Sequence, residues 1–142
     1  MITQTTEYAL RAVAFLATCN GSPTRRRDVS EATQVPHDYL TKVMQELEGA
    51  GIVTTRRGPG GGYELSTPPE RLTVYEVISV FSPIPRVKEC PLGIEGHTNL
   101  CPLHKRLDDA AFLVEKAFKD TTIAELIPGR VKVTSCHFPS LS

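Results

Sequence analysis

The sequence has no excess of either charge: Lys+Arg and Asp+Glu both number 16. A balanced chain exerts no global electrostatic pull on nucleic acid, and no acidic tail is present. It also lacks any run approaching the roughly 18 uninterrupted apolar residues of a membrane span. The opening Met1-Ile2-Thr3-Gln4 has no charged start with an apolar stretch behind it. No secretory signal is therefore expected, and the expected location is cytoplasmic. Cysteine is scarce, with only Cys19, Cys90, Cys101 and Cys136. In a cytoplasmic chain these are ligands or free thiols before they are disulfides. Catalytic constellations are missing too: no Ser-His-Asp order and no paired catalytic carboxylates stand out. The glycines of 58–62 fit neither phosphate-loop template, because no Lys-Ser/Thr and no opening helix follow them. An enzyme is not expected.

What is present suffices for one domain, or for a small domain with an attached element. The 142 residues are 40% hydrophobic and 23% charged, enough to bury a core. The spacing of Tyr8, Ala12, Phe15 and Leu16 predicts a helix over 3–18, stopped by Asn20-Gly21-Ser22-Pro23. A shorter helix fits 25–33, with Val29 and Ala32 turned inward. Leu40, Val43, Met44 and Leu47 recur at i, i+3, i+4 and i+7 and define a third, closed by Gly49-Ala50-Gly51. Strands are expected over 52–55 and 63–65, joined by the glycine-rich 56–62. Thr73 and Glu76 have capping-box spacing and start a fourth helix to about Phe81. Cys101-Pro102 opens the longest helix, with cysteine at the N-cap and proline at the first helical position. Its Leu103, Leu107, Ala110, Val114 and Ala117 step by 4, 3, 4 and 3, a coiled-coil seam that calls for a second copy of the chain. Thr122 and Glu125 cap a last short helix, and Val131 to Val133 read as a strand or tail.

Three short helices followed by a hairpin describe a winged helix-turn-helix. The fold class is thus mostly α with a small β-hairpin wing, plus a long dimerisation helix. The third helix would enter a DNA major groove, with its early residues at base edges. Those residues are His37, Asp38, Tyr39, Thr41 and Lys42; the wing adds Arg56 and Arg57 beside Gly58 and Gly60, where backbone can approach a phosphate or minor groove. Polar helix faces and paired arginines are usually solvated surface. A glycine-rich tip flanked by two arginines, however, has little structural purpose unless something binds there.

Cys101 and His104 lie on one face of the first turn of the long helix. A sulfur at a helix N-cap faces the positive end of the helix dipole, which suits a thiolate ligand. The loop from Cys90 is long enough to return it to the same point. Thiolates with imidazole suit zinc or an iron–sulfur cluster. Cys19 reads as a small buried residue and Cys136 as a free thiol.

The ordered set of motifs resembles the IscR/NsrR-type winged-helix transcriptional regulators. It comprises Glu7-Tyr8-Ala9-Leu10-Arg11, Tyr39-Leu40-x-Lys42-x3-Glu46-Leu47, Gly51-Ile52-Val53, Arg57-Gly58-Pro59-Gly60-Gly61-Gly62-Tyr63, Leu72-Thr73-Val74-x-Glu76-Val77-Ile78 and Cys101-Pro102-Leu103-His104. The resemblance implies a homodimeric repressor or activator that binds double-stranded operator DNA. It implies a winged helix over 1–67, a linker helix and sensor loop over 68–100, and a dimerisation helix with tail over 101–142. Several members of that family sense iron–sulfur, nitric oxide or redox status through a cluster, and others carry none and answer to a partner protein. Cluster-bearing relatives usually have three loop cysteines, whereas this chain has two, with Gly96 or His97 near the middle position. The implied ligand set is Cys90, Cys101, His104, with His97 or Glu7 of a partner protomer as further candidates. Such a set favours [2Fe–2S] over [4Fe–4S], since histidine replaces cysteine in Rieske centres. A cluster-free regulator switched by thiol oxidation or a partner protein, and a zinc-stabilised interaction domain, are the alternatives.

Overall fold

In the computed structural model, residues 2–88 and 101–127 are described. The order is α1 (Gln4–Thr18), α2 (Arg26–Thr33), α3 (His37–Gly49), β1 (Val53–Arg56), β2 (Gly62–Leu65), α4 (Val74–Phe81) and α5 (Pro102–Asp120), then a 3-10 helix over Ile123–Leu126. The elements expected within the described residues are all there, displaced by a residue at some ends. The expected strand over 131–133 lies outside the described residues.

Three of these displacements have a visible cause. Thr3 is the N-cap of α1 rather than its first residue, and its hydroxyl accepts from the Thr6 N–H at 3.3 Å. Arg25 is extended rather than helical because its neighbour Thr24 pairs with Tyr63. The two residues exchange backbone N–H···O bonds of 2.9 and 2.8 Å, an isolated antiparallel bridge that ties the wing to the segment before α2. β1 starts at Val53 because Ile52 closes α3: its N–H reaches the Leu47 carbonyl, and the Gly51 N–H reaches that of Glu48, both at 3.0 Å. With Gly51 at φ +75°, this is a Schellman cap. The capping boxes at Thr73/Glu76 and Thr122/Glu125 both form.

The core is one cluster. Ala9, Ala12, Val13, Phe15 and Leu16 of α1 meet Val29, Val35, Leu40, Val43, Met44 and Leu47 on one side. On the other they meet Leu72, Val74, Val77 and Ile78. The chain returns to this core after α5: Ile123 is fully buried, and its N–H bonds the Leu72 carbonyl at 2.8 Å. The wing pairs antiparallel, from Val53 opposite Leu65 to Arg56 opposite Gly62.

Segment 84–88 lies against α5. Arg86 is bidentate to Asp108 at 2.7 and 2.8 Å, and the Val87 N–H donates to the same carboxylate at 3.0 Å. The Arg86 guanidinium also covers the Phe112 ring at 5.4 Å. Lys119 pairs with Glu115 and lies 4.5 Å from the Tyr75 ring, joining α5 to α4.

Two consequences are measurable. A Cβ on Gly62 would lie 2.3 Å from the Thr24 carbonyl oxygen, at φ +150°, whereas one on Gly60 would meet open space at φ +74°. Gly60→Ala is expected to cost about 1 kcal/mol for its left-handed backbone, and Gly62→Ala distinctly more, in urea denaturation. The second concerns acid. Hydrogen bonding by Arg86, aided by the Val87 N–H, holds the Asp108 carboxyl down to about 2. A depressed folded value gives stability that is present above the unfolded value of about 3.9 and lost as pH falls through the folded one. Melting of the parent should therefore lose part of its stability between about pH 4 and pH 2, and Asp108→Asn should flatten that limb.

Candidate nucleic-acid interface

The turn between α2 and α3 is three residues long and held from both sides. Gln34 takes left-handed backbone at φ 59°, and its side-chain amide donates to the Glu31 carbonyl at 2.7 Å. Ser30 donates to the Val35 carbonyl at 2.7 Å, while the Val35 side chain is buried. This fixes the angle at which α3 leaves α2.

With Leu40, Val43, Met44 and Leu47 buried, the opposite face of α3 carries Asp38, Thr41, Lys42 and Gln45, and His37 stands at its first turn. His37, Asp38 and Lys42 are exposed. Lys42 and Glu46 border a cleft of about 380 Å³ shared with Thr3, Thr5, Val80 and Phe81. Tyr39 sits on the α1 flank instead. Its hydroxyl shares a 2.7 Å hydrogen bond with Thr5, and its ring meets Tyr8 edge-on at 5.3 Å. It ties α3 to α1, yet remains partly exposed. Thr41, on the α2 flank, accepts from Arg26 at 2.9 Å.

The wing separates the two arginines that the sequence made equivalent. Arg56 pairs with Glu64 across the hairpin at 2.8 Å, so its charge is compensated. Arg57 is exposed and has no ion-pair partner among the described residues. Gly58 and Gly60 have φ of +91° and +74°, and a Cβ on Gly61 would strike the Arg56 carbonyl at 2.3 Å. The glycines therefore make the tight tip that presents Arg57.

A second group of residues lies at the start of α5. Cys101 is the N-cap, and its Sγ is 2.9 Å from His104 Nδ1, with His104 only 4% exposed. A neutral pair has the thiol donating to Nδ1, and an ionised pair has Nδ1–H donating to thiolate. The sulfur makes no backbone cap bond, and His104 is its hydrogen-bond partner among the described residues. Two soft donors at one point fit part of a metal or cluster site; no group of three His, Cys, Asp or Glu residues meets among the described residues. Cys90 and His97 lie outside them. Glu7 is on the exposed side of α1, paired with Arg11 at 2.5 Å. Cys19 is buried and its Sγ donates to the Phe15 carbonyl at 3.5 Å, a structural role.

Arg26, Arg86 and Asp108 were not legible as site residues. Arg26 and Thr41 are fifteen positions apart, Arg86 and Asp108 twenty-two, and no local spacing signals either pair.

A helix-turn-helix with a charged wing tip on a mostly helical scaffold is an architecture suited to DNA binding. The family model for Rrf2, the iron-dependent transcriptional regulator, matches residues 2–129, and the chain belongs to that family. It is 30% identical over 131 residues to a protein of Aquifex aeolicus described as an HTH-type transcriptional regulator, covering 89% of this chain and 91% of that one. The fold is similar to that of CymR (YrzC), the global cysteine regulator of B. subtilis. The TM-score is 0.75 at 23% identity, over 89% of this chain and 95% of that one. It is also similar to T. potens IscR, with a TM-score of 0.72 at 22% identity over 89% and 85%. No described helix is long and apolar enough to cross a membrane.

The unequal arginines make a sharp expectation. Arg57→Ala should lower the salt dependence of DNA binding by about one counterion and weaken binding to all sequences. Arg56→Ala should leave the slope nearly unchanged and instead loosen the hairpin, seen as faster amide exchange at β1 and β2.

Proposed function

We propose that the chain works as a homodimeric repressor in the cytoplasm, with α3 in the major groove of an operator and Arg57 in the flanking minor groove or on its phosphates. The observation that carries this reading is the pairing of an outward polar face on α3 with an uncompensated arginine at the wing tip, on a family scaffold. The contact set is His37, Asp38, Thr41 and Lys42 from α3, and Arg57 with the Gly58 and Gly60 backbone from the wing. Tyr39 and Arg56 act mainly by holding these in place.

Dimerisation is supported by α5. Its nineteen residues span about 28 Å, and of the seam residues Leu103 and Leu107 are 61% and 51% exposed in the single chain while Val114 is half-buried; Leu113, 65% exposed, lies on the flank. Ala110 and Ala117 are exposed on the seam side. Large side chains at this density along one helix mark a surface that is covered in use. Pairing two copies there would carry two reading heads at a fixed separation, as two half-sites about one DNA turn (roughly 34 Å) apart require.

The reading extends to a sensor at the head of α5. Cys101 and His104 would hold an iron–sulfur cluster, [2Fe–2S] rather than [4Fe–4S], together with Cys90; His97 and the partner's Glu7 are further candidates. When bound, such a cluster supplies a link that oxidation or nitric oxide breaks. The chain's own part is geometric: Asp108 grips residues 86 and 87 two turns along α5 from Cys101. A change at Cys101 is therefore felt where the 84–88 segment leaves α4. The 2.9 Å approach of Cys101 to His104 also favours a second reading, in which the thiol itself is the sensor and no cluster is needed.

Three measurements test these statements. Leu107→Asp should give a monomer by light scattering at micromolar concentration and lose tight operator binding; an unchanged dimer overturns the seam. Arg57→Ala should weaken operator binding broadly, by about 1–3 kcal/mol if Arg57 fills a narrow minor groove or contacts a base edge. Anaerobically reconstituted protein should bind iron and absorb in the visible, and Cys101→Ala and Cys90→Ala should lose both, while Cys19→Ala keeps them. Colourless, iron-free protein whose operator affinity still falls on oxidation of Cys101 would decide for the thiol.

A further inference from the structure

Thr41 lies on the reading face of α3, and its hydroxyl is already engaged twice. The Arg26 guanidinium donates to Thr41 Oγ1 at 2.9 Å. The same hydroxyl donates to the His37 carbonyl, one turn back, at 3.2 Å. A threonine hydroxyl has one proton and two lone pairs. Its proton is committed to His37 and one lone pair to Arg26. A base edge facing Thr41 therefore meets one acceptor lone pair and a methyl group, and no donor.

Arg26 is held for this purpose by its neighbours. Arg25 is extended as the N-cap of α2, beside the Thr24–Tyr63 bridge. Arg27 turns away to pair with Glu31 at 2.9 Å. Arg26 has no carboxylate partner among the described residues, so nothing competes with Thr41 for its Nη1. Three successive arginines that composition cannot tell apart thus have three separate positions.

We propose that Arg26 is a specificity-determining positioning residue. By fixing Thr41 as an acceptor, it makes α3 favour a base that presents an exocyclic amine, adenine N6 or cytosine N4, over the keto edge of guanine or thymine. The major-groove code makes this distinction available. To donate to a keto oxygen, Thr41 must release His37 and turn its proton toward the base while Arg26 still occupies one lone pair. That loss of about one hydrogen bond corresponds to a discrimination of about three- to tenfold. The inference rests on α3 being the DNA-reading helix, as proposed above.

The experiment uses the full-length protein and a random-sequence duplex library. Selection with the parent gives a preferred site, which is then varied one base pair at a time in a binding titration. Thr41→Val marks the pair read by residue 41, because preference is lost there alone. At that pair the parent should favour the amine-bearing base about three- to tenfold. Arg26→Met should reduce the preference below about twofold, Arg26→Lys should restore most of it by supplying one donor, and Thr41→Ser should keep it. If Arg26→Met instead weakens every sequence equally and lowers the salt slope by about one, with the preference intact, Arg26 is a phosphate contact and the proposal falls. A parent that favours guanine or thymine at that position also overturns it. If the parent selects no preferred site at all, the reading of α3 fails first and this inference falls with it.

Discussion

The architecture depends on how closely other elements can approach α1. Its inward face is built largely of small residues, with Ala9, Ala12 and Val13 inaccessible to water. The methyl side chains of Ala9 and Ala12 let neighbouring backbones come near, and close packing then fixes their positions. α2, α3, α4, β2 and the 3-10 helix all touch α1. α3 and α4 are thus located by a common reference. Hydrogen bonds at its first turns refine both placements: Tyr39 of α3 shares a bond with Thr5, and Ser82, at the end of α4, shares one of 2.8 Å with Thr6. A larger side chain at Ala9 or Ala12 would displace both helices at once.

The elements were legible because their signals are local. Capping boxes at Thr73 and Thr122, proline after Cys101 and the left-handed Gly51 each state a boundary within four residues of it. The cysteine and histidine of the long helix were legible for the same reason, since i and i+3 share a face. The division of labour among the arginines was not. Which of Arg25, Arg26 and Arg27 faces α3 depends on the wing pulling Thr24 into a bridge. Which of Arg56 and Arg57 is neutralised depends on hairpin register, which brings Glu64 onto the side of Arg56. Both are facts of long-range pairing, and sequence spacing carries no trace of them.

Charge is managed locally rather than globally. The chain is neutral overall, yet its ion pairs are placed so that Arg27 and Arg56 are compensated while Arg26, Lys42 and Arg57 are not, among the described residues. A neutral protein can therefore leave cations without an ion-pair partner on the α3 and wing face, beside the exposed Asp38. The weak net charge lowers non-specific affinity for other polyanions, which leaves more of the discrimination to α3 and the wing tip.

The return of the chain after α5 has a consequence for how the molecule is made. Ile123 fills the same core as Leu72 and Val77, and residues 121–124 form backbone bonds to Pro69, Leu72 and Val74. The head that reads DNA is incomplete until the segment beyond the long helix has been synthesised and has docked. A nascent chain therefore has α5 in hand before this core is finished. A ribosome-stalled or truncated product ending at α5 would expose both the apolar seam and an unfilled core.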